Sequence, residues 1–487
     1  MMKRMIGLLG VIVLTALPAR AGNFAFSVAN DPAAGDSVEV VVFDELGGVP
    51  LAGADVLVGT SLDPSDATAV TGRADAAGRF VARGWGRGRI YVALAAKKGY
   101  ERVSVSGVRG SSITIFLRKL AAEERLVLGT GVSGGWADAT SNKMVRAGLV
   151  FKSLGAMDLL SFRVESLISP LKDKIDVFGE REVPSNLVLP EQEVVVFPVT
   201  ISLDKPSYRL PVQAGRRLRL AMLQGEIAAK ELTSGGGQLS AGILNKLKCR
   251  KAALSGFMVP EDDFKREIDS DIELQGVHRV TPALPPFAAD IIVAAVMDPD
   301  GSAEYMLPTD VKTAATADNP SQIKTVTLAA PVRLPAGAVT DVVAAALGKN
   351  GRLVSGIRVR GAGKTVEPGK FLELQALADV TKPPASLDMR APGSGVAVVI
   401  IEIDAPDDAV IPVWNAYALP SAGKVSVPLA RLPADMKVRR FSVSALELGA
   451  GFDETTVDAS RVMRGLTRFS RAMAWVKPKR SGGDRDE

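Results

Sequence analysis

The fold class is decided by residues 37–58, Ser37-Val38-Glu39-Val40-Val41-Val42-Phe43-Asp44-Glu45-Leu46-Gly47-Gly48-Val49-Pro50-Leu51-Ala52-Gly53-Ala54-Asp55-Val56-Leu57-Val58. Two runs rich in valine flank a turn, in which the glycines permit positive φ and Pro50 ends strand pairing. Short apolar runs continue at a spacing of about 8 to 12 residues, which is typical of an all-β sandwich. We predict strands at residues 38–43, 54–58, 79–82, 89–95 and 113–117.

Four motifs accompany these strands in a fixed order: Gly48-Val49-Pro50-Leu51-Ala52-Gly53-Ala54-Asp55-Val56, Thr71-Gly72 followed by Gly78-Arg79-Phe80, Gly88-Arg89-Ile90-Tyr91, and Gly99-Tyr100. In this order they resemble the carboxypeptidase regulatory-like (transthyretin-like) β-sandwich family over residues 37–117. The resemblance implies a non-catalytic accessory or spacer module. This copy departs from the pattern in an insertion at residues 63–69 and in the glycine-arginine run at residues 83–89.

The first 21 residues have the pattern of a cleavable secretion signal. Lys3 and Arg4 form a basic start, residues 5–17 an apolar stretch, and Ala19-Arg20-Ala21 a cleavage site. The apolar stretch is shorter than the roughly 20 residues that span a bilayer. We therefore expect an exported protein without a transmembrane segment after cleavage, located in the periplasm, at the cell surface or outside a bacterium.

Composition excludes several classes of function. The net charge of +5 falls to +5 − 3 = +2 once Lys3, Arg4 and Arg20 leave with the signal, and aromatic residues make up only 5% of the chain, so nucleic-acid binding is not expected. Cys249 is the single cysteine, which excludes an intrachain disulfide. His278 is the single histidine, which argues against a zinc site.

The length of 487 residues suits several domains. After the signal (1–21) we predict a carboxypeptidase regulatory-like sandwich (22–119), a mainly β domain with short helices (120–285), a β-rich domain (286–382), an immunoglobulin/fibronectin-like sandwich (383–476) and a disordered tail (477–487). Outside the N-terminal module, the strands predicted from apolar runs include residues 193–202, 371–378 and 395–403. Within this mainly β, multidomain plan, residues 216–227 and 239–248 carry apolar residues at helical spacing and are predicted as helices.

A catalytic alternative starts from Gly131-Val132-Ser133-Gly134-Gly135, which matches G-x-S-x-G. In a serine hydrolase such a turn exposes the serine hydroxyl, and His278 is the one available base. Because glycine is abundant in this chain, the motif arises readily by chance, and no alternating strand and helix series surrounds it, so a glycine-rich bend between strands is the favoured interpretation. A secreted hydrolase using Ser133 and His278 is kept as an alternative to a protein without catalysis.

A binding alternative centres on Trp85, which lies among Arg83, Arg87 and Arg89. Arginines pair with anionic groups, and an exposed indole packs against a sugar face. A tryptophan that covers the end of the sandwich is the competing interpretation. These four residues are the candidate ligand site of a glycan-binding module.

No cofactor is expected, with calcium left open. Asp298 and Asp300 stand in a loop, Asp298-Pro299-Asp300-Gly301, that a type I turn explains without a metal. Asp404, Asp407 and Asp408 form a second acidic loop. Carboxylate oxygens are the ligands that calcium prefers, so these five residues are the calcium candidates.

Taken together, the sequence predicts an exported scaffold or interaction protein built from β-sandwich modules and without catalysis. The expected partner is an envelope protein or a polysaccharide.

Overall fold

The computed structural model describes residues 24–31, 35–45, 48–85, 88–120, 126–153, 167–233, 246–274, 276–281, 290–297, 304–313, 326–331, 340–348, 353–361, 363–374, 377, 386–390, 396–404, 413–419, 424–428, 440–449, 452–453, 455–458, 462 and 464–475. These residues are predominantly β-strands arranged in packed sheets, which confirms the predicted mainly β fold class. The predicted signal (1–21) and tail (477–487) lie outside the described residues.

The strands up to residue 152 are β1 Phe26–Ala29, β2 Ser37–Asp44, β3 Asp55–Gly59, β4 Val70–Arg73, β5 Arg79–Arg83, β6 Tyr91–Ala96, β7 Arg102–Val108, β8 Ser112–Leu117, β9 Leu126–Gly134 and β10 Met144–Lys152. Those up to residue 280 are β11 Lys172–Asp176, β12 Glu180–Pro184, β13 Leu187–Val196, β14 Val199–Lys205, β15 Ser207–Gln213, β16 Arg217–Ala228, β17 Lys248–Met258, β18 Phe264–Lys265, β19 Ile268–Asp269, β20 Ile272–Glu273 and β21 Gly276–Val280. The remaining ones are β22 Asp290–Met297, β23 Tyr305–Thr313, β24 Val326–Ala330, β25 Thr340–Leu347, β26 Leu353–Val359, β27 Thr365–Val366, β28 Ser386–Arg390, β29 Val396–Asp404, β30 Trp414–Ala418, β31 Lys424–Pro428, β32 Arg440–Leu448 and β33 Leu466–Trp475. One short helix, α1 Ala229–Thr233, lies among the described residues.

The N-terminal sandwich contains all five strands predicted in residues 38–117, together with β1, β4 and β7. One sheet has the order β1-β8-β2-β5, and the facing layer runs β7-β6-β3-β4. Val40 and Ile113 of the first sheet and Val56 of the second are buried in a common core. The period-2 alternation of β2 therefore points one face inward, as its sequence indicates.

The second layer of this sandwich continues into the C-terminal half of the chain. Strand β30 pairs in parallel with β7, with Trp414 opposite Arg102 and Ala418 opposite Ser106. The result is a twelve-stranded sheet with the order β23-β22-β25-β26-β33-β32-β29-β30-β7-β6-β3-β4. This sheet takes strands from three of the predicted segments, 22–119, 286–382 and 383–476, so these segments share one hydrogen-bonded layer.

We call the contact between β7 and β30, with its flanking residues, the junction. The indole Nε1 of Trp414 donates to Ser104 Oγ at 3.0 Å, and Asn415 Nδ2 donates to Glu101 Oε2 at 2.8 Å. All four residues are buried. The Trp414 and Asn415 donors and the Glu101 and Ser104 oxygens can be buried because they bond across the junction, whereas Asn415 Oδ1 is buried without a hydrogen-bond partner in the described part of the chain.

The insertion predicted at residues 63–69 lies in a loop that contributes to the same contact. Leu62, 3% exposed, packs in a core that also contains Val399 and Ile401 of β29. The loop is closed by the Asp66 carboxylate, which accepts hydrogen bonds from the Ser61 and Thr68 hydroxyls at 2.8 and 2.9 Å. The loop that contains the insertion thus places Leu62 of the N-terminal sandwich in a core that it shares with the C-terminal half.

The middle of the chain forms a second sandwich. One sheet has the order β14-β13-β10-β16-β17-β20, and the other has β15-β9-β18, with β19 also paired to β9. Tyr208, Leu220 and Met222 are buried in the core of this sandwich.

A buried ion cluster joins this sandwich to the twelve-stranded sheet. Arg358 Nη1 lies 2.7 Å from Glu304 Oε1, and its Nη2 lies 2.5 Å from Asp341 Oδ2. The Glu304 carbonyl in turn accepts a hydrogen bond from Arg219 of β16 at 2.9 Å.

The predicted helix at residues 216–227 is wrong, because this segment is the strand β16. It lies between β10 and β17, and both of its faces are covered: Leu220 faces one core and Leu223 another. A strand that is buried on both faces loses its period-2 alternation, and its apolar spacing then mimics that of a helix. The second predicted helix, 239–248, lies mostly outside the described residues, and Lys248 begins β17.

Two further strand predictions need correction. The single strand expected at residues 193–202 is a hairpin that turns at Phe197-Pro198, because proline cannot donate to a strand ladder. The strand expected at 371–378 is absent from its described part, where residues 371–374 have no regular secondary structure.

Candidate functional site: the surroundings of Ser133 and two exposed hairpin tips

Ser133 lies within strand β9 rather than on a strand-to-helix turn. It pairs with Ile268 of β19, and its hydroxyl donates to Met222 Sδ at 2.9 Å. The same hydroxyl oxygen accepts a hydrogen bond from Gln224 Nε2 at 3.0 Å. The Ser133 hydroxyl is therefore buried and occupied on both its donor and its acceptor side.

His278 lies in β21, in a different sheet, of order β24-β21-β27. Its Nδ1 is 2.6 Å from the carbonyl oxygen of Gly363, to which it donates. The structure does not bring Ser133 and His278 together, and the geometry of a nucleophile elbow is missing. The glycines around Ser133 instead admit close neighbours: a Cβ at Gly131 would come within 1.7 Å of the Arg266 carbonyl oxygen.

The polar side chains beside Ser133 bond to one another. Glu226 of β16 accepts a hydrogen bond from the Thr140 backbone N–H at 2.9 Å and lies 3.1 Å from Arg250 Nη2. Burial acts to raise the pKa of Glu226, but the bonds from Thr140 and the charge of Arg250 outweigh it and hold this pKa below its ordinary value. Glu226 is thus an ionised structural carboxylate that fastens the loop around Thr140 to the end of the sandwich.

The indole of Trp85 is not exposed, as a sugar-binding role would require. Trp85 is 3% exposed and packs edge-on against Tyr91 at 6.1 Å, with the Arg89 guanidinium 4.5 Å above its ring. It covers the end of the N-terminal sandwich, because the free energy of so large an apolar ring is lower when it is buried than when it is exposed to water. Arg83 and Arg89 are exposed on either side, and Arg87 lies outside the described residues.

Of the calcium candidates, Asp298, Asp300, Asp407 and Asp408 lie outside the described residues, and Asp404 is the last residue of β29. Within the described part of the chain, no group of three His, Cys, Asp or Glu residues is placed to hold a metal ion. Cys249 is half-buried in β17.

The most unusual surface of the molecule is formed by two hairpins, β11–β12 and β13–β14, which we call the hairpin pair. Their bases are tied together, since Lys205 Nζ at the end of β14 lies 3.0 Å from Asp173 Oδ2 in β11. Lys205 also donates to the Ser207 carbonyl at 2.9 Å, and Asp173 contacts Arg209 as well. Burial lowers the pKa of Lys205, with the Asp173 carboxylate acting against this shift.

Each hairpin carries an exposed phenylalanine at its tip. Phe197 is 92% exposed and Phe178 is 63% exposed. Phe178 also has φ = +59°, and among the described residues it is the one non-glycine residue with positive φ. A left-handed backbone costs an L-residue roughly 1–2 kcal/mol, and an apolar ring in water adds to that cost.

The strand patterns in the sequence do not predict these tips. The apolar run at residues 193–202 predicts one strand, and this conceals the turn at Phe197. The signal that could have found it is the Phe197-Pro198 dipeptide inside an apolar run, because proline in the interior of a run disfavours a continuous strand. The tip at Phe178 is flanked by Asp176 and Gly179, which are typical turn residues.

No helix in the described part of the chain is both long and apolar enough to cross a membrane.

No protein-family model matches this chain, and no curated protein matches it significantly. Several solved structures are weakly similar. The shaft pilin SpaA from Lactobacillus rhamnosus GG is 12% identical, with a TM-score of 0.13, over 48% of this chain and 96% of the pilin. The major pilin SpaD from Corynebacterium diphtheriae is 9% identical, with a TM-score of 0.15, over 68% of this chain and 96% of the pilin.

The Bacillus anthracis TIE protein is 10% identical, with a TM-score of 0.14. The match covers 68% of this chain and 49% of the TIE protein. At these TM-scores the similarities carry no argument about function.

Proposed function

We propose that this protein is an exported scaffold or interaction protein of the bacterial cell envelope, without catalysis of its own, that binds another envelope component. The observation that carries the proposal is the twelve-stranded sheet, which holds the N-terminal sandwich and the C-terminal half in one hydrogen-bonded layer. Such a layer suits a protein that holds its surfaces in fixed positions, because sheet interiors open only at a free energy close to that of global unfolding.

Two further observations support the proposal. The hydroxyl that the sequence offered as a nucleophile is engaged by Met222 and Gln224. The resemblance of residues 37–117 to carboxypeptidase regulatory-like modules implies an accessory role for the N-terminal sandwich. Export rests on the signal-like pattern of residues 1–21.

The test uses the tagged full chain, expressed in a bacterial host and fractionated. We expect the protein in the envelope or extracellular fraction, with a mass that corresponds to cleavage after Ala21. Cross-linking in envelope extract should capture a stoichiometric component. The variant that carries Phe178→Asn and Phe197→Ser should no longer capture this component. Hydrolysis of ester substrates that disappears in Ser133→Ala, or retention in the cytosol, would overturn the proposal.

A further inference from the structure

The outer side of strand β14 has no partner strand in the described part of the chain. The six-stranded sheet has the order β14-β13-β10-β16-β17-β20, so β14 is paired by β13 and lies at the edge. Along β14, Leu203 is buried, whereas Thr200, Ser202 and Asp204 are exposed. We call the side of β14 that points away from β13 the β14 edge.

The pairing of the hairpin determines which backbone groups point to the β14 edge. The two residues that flank its two-residue turn face each other, and in an antiparallel ladder such bonded pairs alternate with unbonded ones. Val195, which lies opposite Thr200, follows this alternation, because its N–H turns away from β14 and donates to the Asn142 carbonyl at 2.8 Å. The N–H and C=O groups of Thr200, Ser202 and Asp204 therefore point to the β14 edge.

The β14 edge lacks the features that usually protect an edge strand from pairing, which include an internal proline, a bulge or a covering strand. The irregularity in this hairpin lies in β13, where the extra residue is between Leu189 and Gln192, and β14 itself is regular. Pro198 and Pro206 stand just outside the two ends of β14. Because proline cannot donate to a ladder, they limit any further pairing to the strand between them.

The sequence of β14 is suited to pairing with itself. Pro198 and Pro206 are equally far from Ser202, so an antiparallel pair with Ser202 opposite Ser202 aligns the whole strand and leaves both prolines outside. In this register Ile201 lies opposite Leu203 of the second copy. Thr200 lies opposite Asp204, to which its hydroxyl can donate, and no like charges face each other.

This register also satisfies the backbone. Thr200, Ser202 and Asp204, the three residues whose backbone groups point to the β14 edge, all fall in bonded pairs. The two strands would thus exchange about six backbone hydrogen bonds. A slip by one residue would place outward-pointing groups opposite inward-pointing ones and would lose these bonds.

We propose that two copies of this chain form a dimer in which their β14 edges pair antiparallel about a twofold axis at Ser202. The two six-stranded sheets become one continuous sheet, and the contact is closed because each copy uses the same edge. The two Phe197 tips lie outside the paired residues, at opposite ends and roughly 34 Å apart at about 3.4 Å per residue. The dimer goes beyond the function proposed above and would present two such tips to an envelope component.

The first experiment is sedimentation velocity of the full chain over a series of concentrations. We expect a monomer–dimer equilibrium without larger species, because pairing occupies the β14 edge of both copies. A monomer at every concentration would overturn the proposal, and so would growth beyond the dimer.

The second experiment blocks the β14 edge with Ser202→Pro. Proline removes the outward N–H and places its ring there, while the bonds to β13 remain because Ser202 does not donate to them. The dissociation constant should rise at least about tenfold. The matched control Ser202→Thr keeps the N–H and should dimerise like the original chain. An unchanged dissociation constant for Ser202→Pro, with a melting curve like that of the original chain, would contradict the pairing.

The third experiment tests the twofold axis with Ser202→Lys and Ser202→Glu. Each variant alone places like charges opposite each other and should raise the dissociation constant at least about threefold. An equimolar mixture should form a mixed dimer that is tighter than the dimer of either variant. A mixture that associates no better than the separate variants would overturn the proposed register, even if Ser202→Pro fails to fold.

Failure of this proposal is distinguishable from failure of the proposed function. A strictly monomeric chain that still captures an envelope component in the cross-linking experiment above would exclude the β14 dimer and support the interaction function. A dimer that captures no component would give the reverse result.

Discussion

Folded proteins usually bury apolar side chains and expose polar ones, and the junction and the hairpin pair depart from this rule in opposite directions. At the junction, polar groups such as Glu101 and Asn415 are fully buried, and each has a bonding partner across the contact. At the hairpin tips, Phe178 and Phe197 are apolar and exposed to water, and Phe178 has a costly backbone conformation as well.

This difference separates structural from functional exceptions. A buried polar group that bonds to its neighbours has a structural role, because its hydrogen bonds contribute to the stability of the fold. An exposed aromatic residue in a left-handed turn makes the isolated chain less stable, which is the pattern expected where a surface has been kept for binding. The following predictions test whether the two regions differ in this way.

The largest effect is expected at Trp414. Replacing this fully buried residue by alanine should lower the free energy of unfolding by about 3 to 5 kcal/mol, through a cavity and the loss of the Ser104 contact. Denaturant unfolding followed by circular dichroism measures it. The matched change at the hairpin tip, Phe197→Ala, should stay within about 0.5 kcal/mol of the original. Equal effects at both positions would remove the contrast between the regions.

A smaller loss is expected for Asn415→Ala. This change takes a buried donor from the Glu101 carboxylate and should cost about 1 to 3 kcal/mol in the same unfolding experiment. Thr200→Ala, on an exposed position of the hairpin pair, is the control and should be neutral. An unchanged midpoint for Asn415→Ala would show that the polar contacts of the junction contribute nothing to stability.

At Phe178 we expect a substitution to increase the free energy of unfolding rather than to lower it. Phe178→Asn should raise the free energy of unfolding by about 1 kcal/mol, because asparagine tolerates the left-handed backbone better than phenylalanine. Phe197→Asn is the control, since residue 197 has no positive φ to relieve. Loss of stability on Phe178→Asn would mean that this aromatic ring supports the fold rather than a contact with another molecule.

The smallest effect concerns pH and the Asp66 loop, which positions Leu62 beside the junction. Hydrogen bonds from the Thr68 backbone N–H and the Ser61 and Thr68 hydroxyls lower the pKa of Asp66 to about 2. Because the folded pKa lies below the ordinary value of 3.8, the loop's stabilisation is complete above pH 4 and is lost as the pH falls through about 2. A carboxyl NMR titration should give this midpoint, and an ordinary midpoint would contradict the bonding described here.

Much of the fold was predictable from local patterns. The valine alternation of residues 38–43 and the punctuation by glycine and proline identified strands of the N-terminal sandwich, and the apolar run at 396–403 identified β29. The same reasoning failed at β16, where burial of both faces removed the alternation, and at Phe197-Pro198, where one apolar run contains a turn.

The candidate sites were less predictable. Sequence motifs single out Ser133 and Trp85, but the chemistry predicted for them depends on exposure, and both are buried. Exposure is a property of the folded surface, which residue type and spacing determine only in part.

By itself, the sequence determined that this chain is mainly β and that its N-terminal part is a sandwich, because side-chain alternation and turn chemistry are local properties of the backbone. The tertiary structure alone decided that β7 pairs with β30 and that two phenylalanines project into solvent. The reason is physical: a strand edge carries the same backbone donors and acceptors whatever its sequence. Its partner is therefore set by which other edges remain free, and by how their faces match once each sheet has folded.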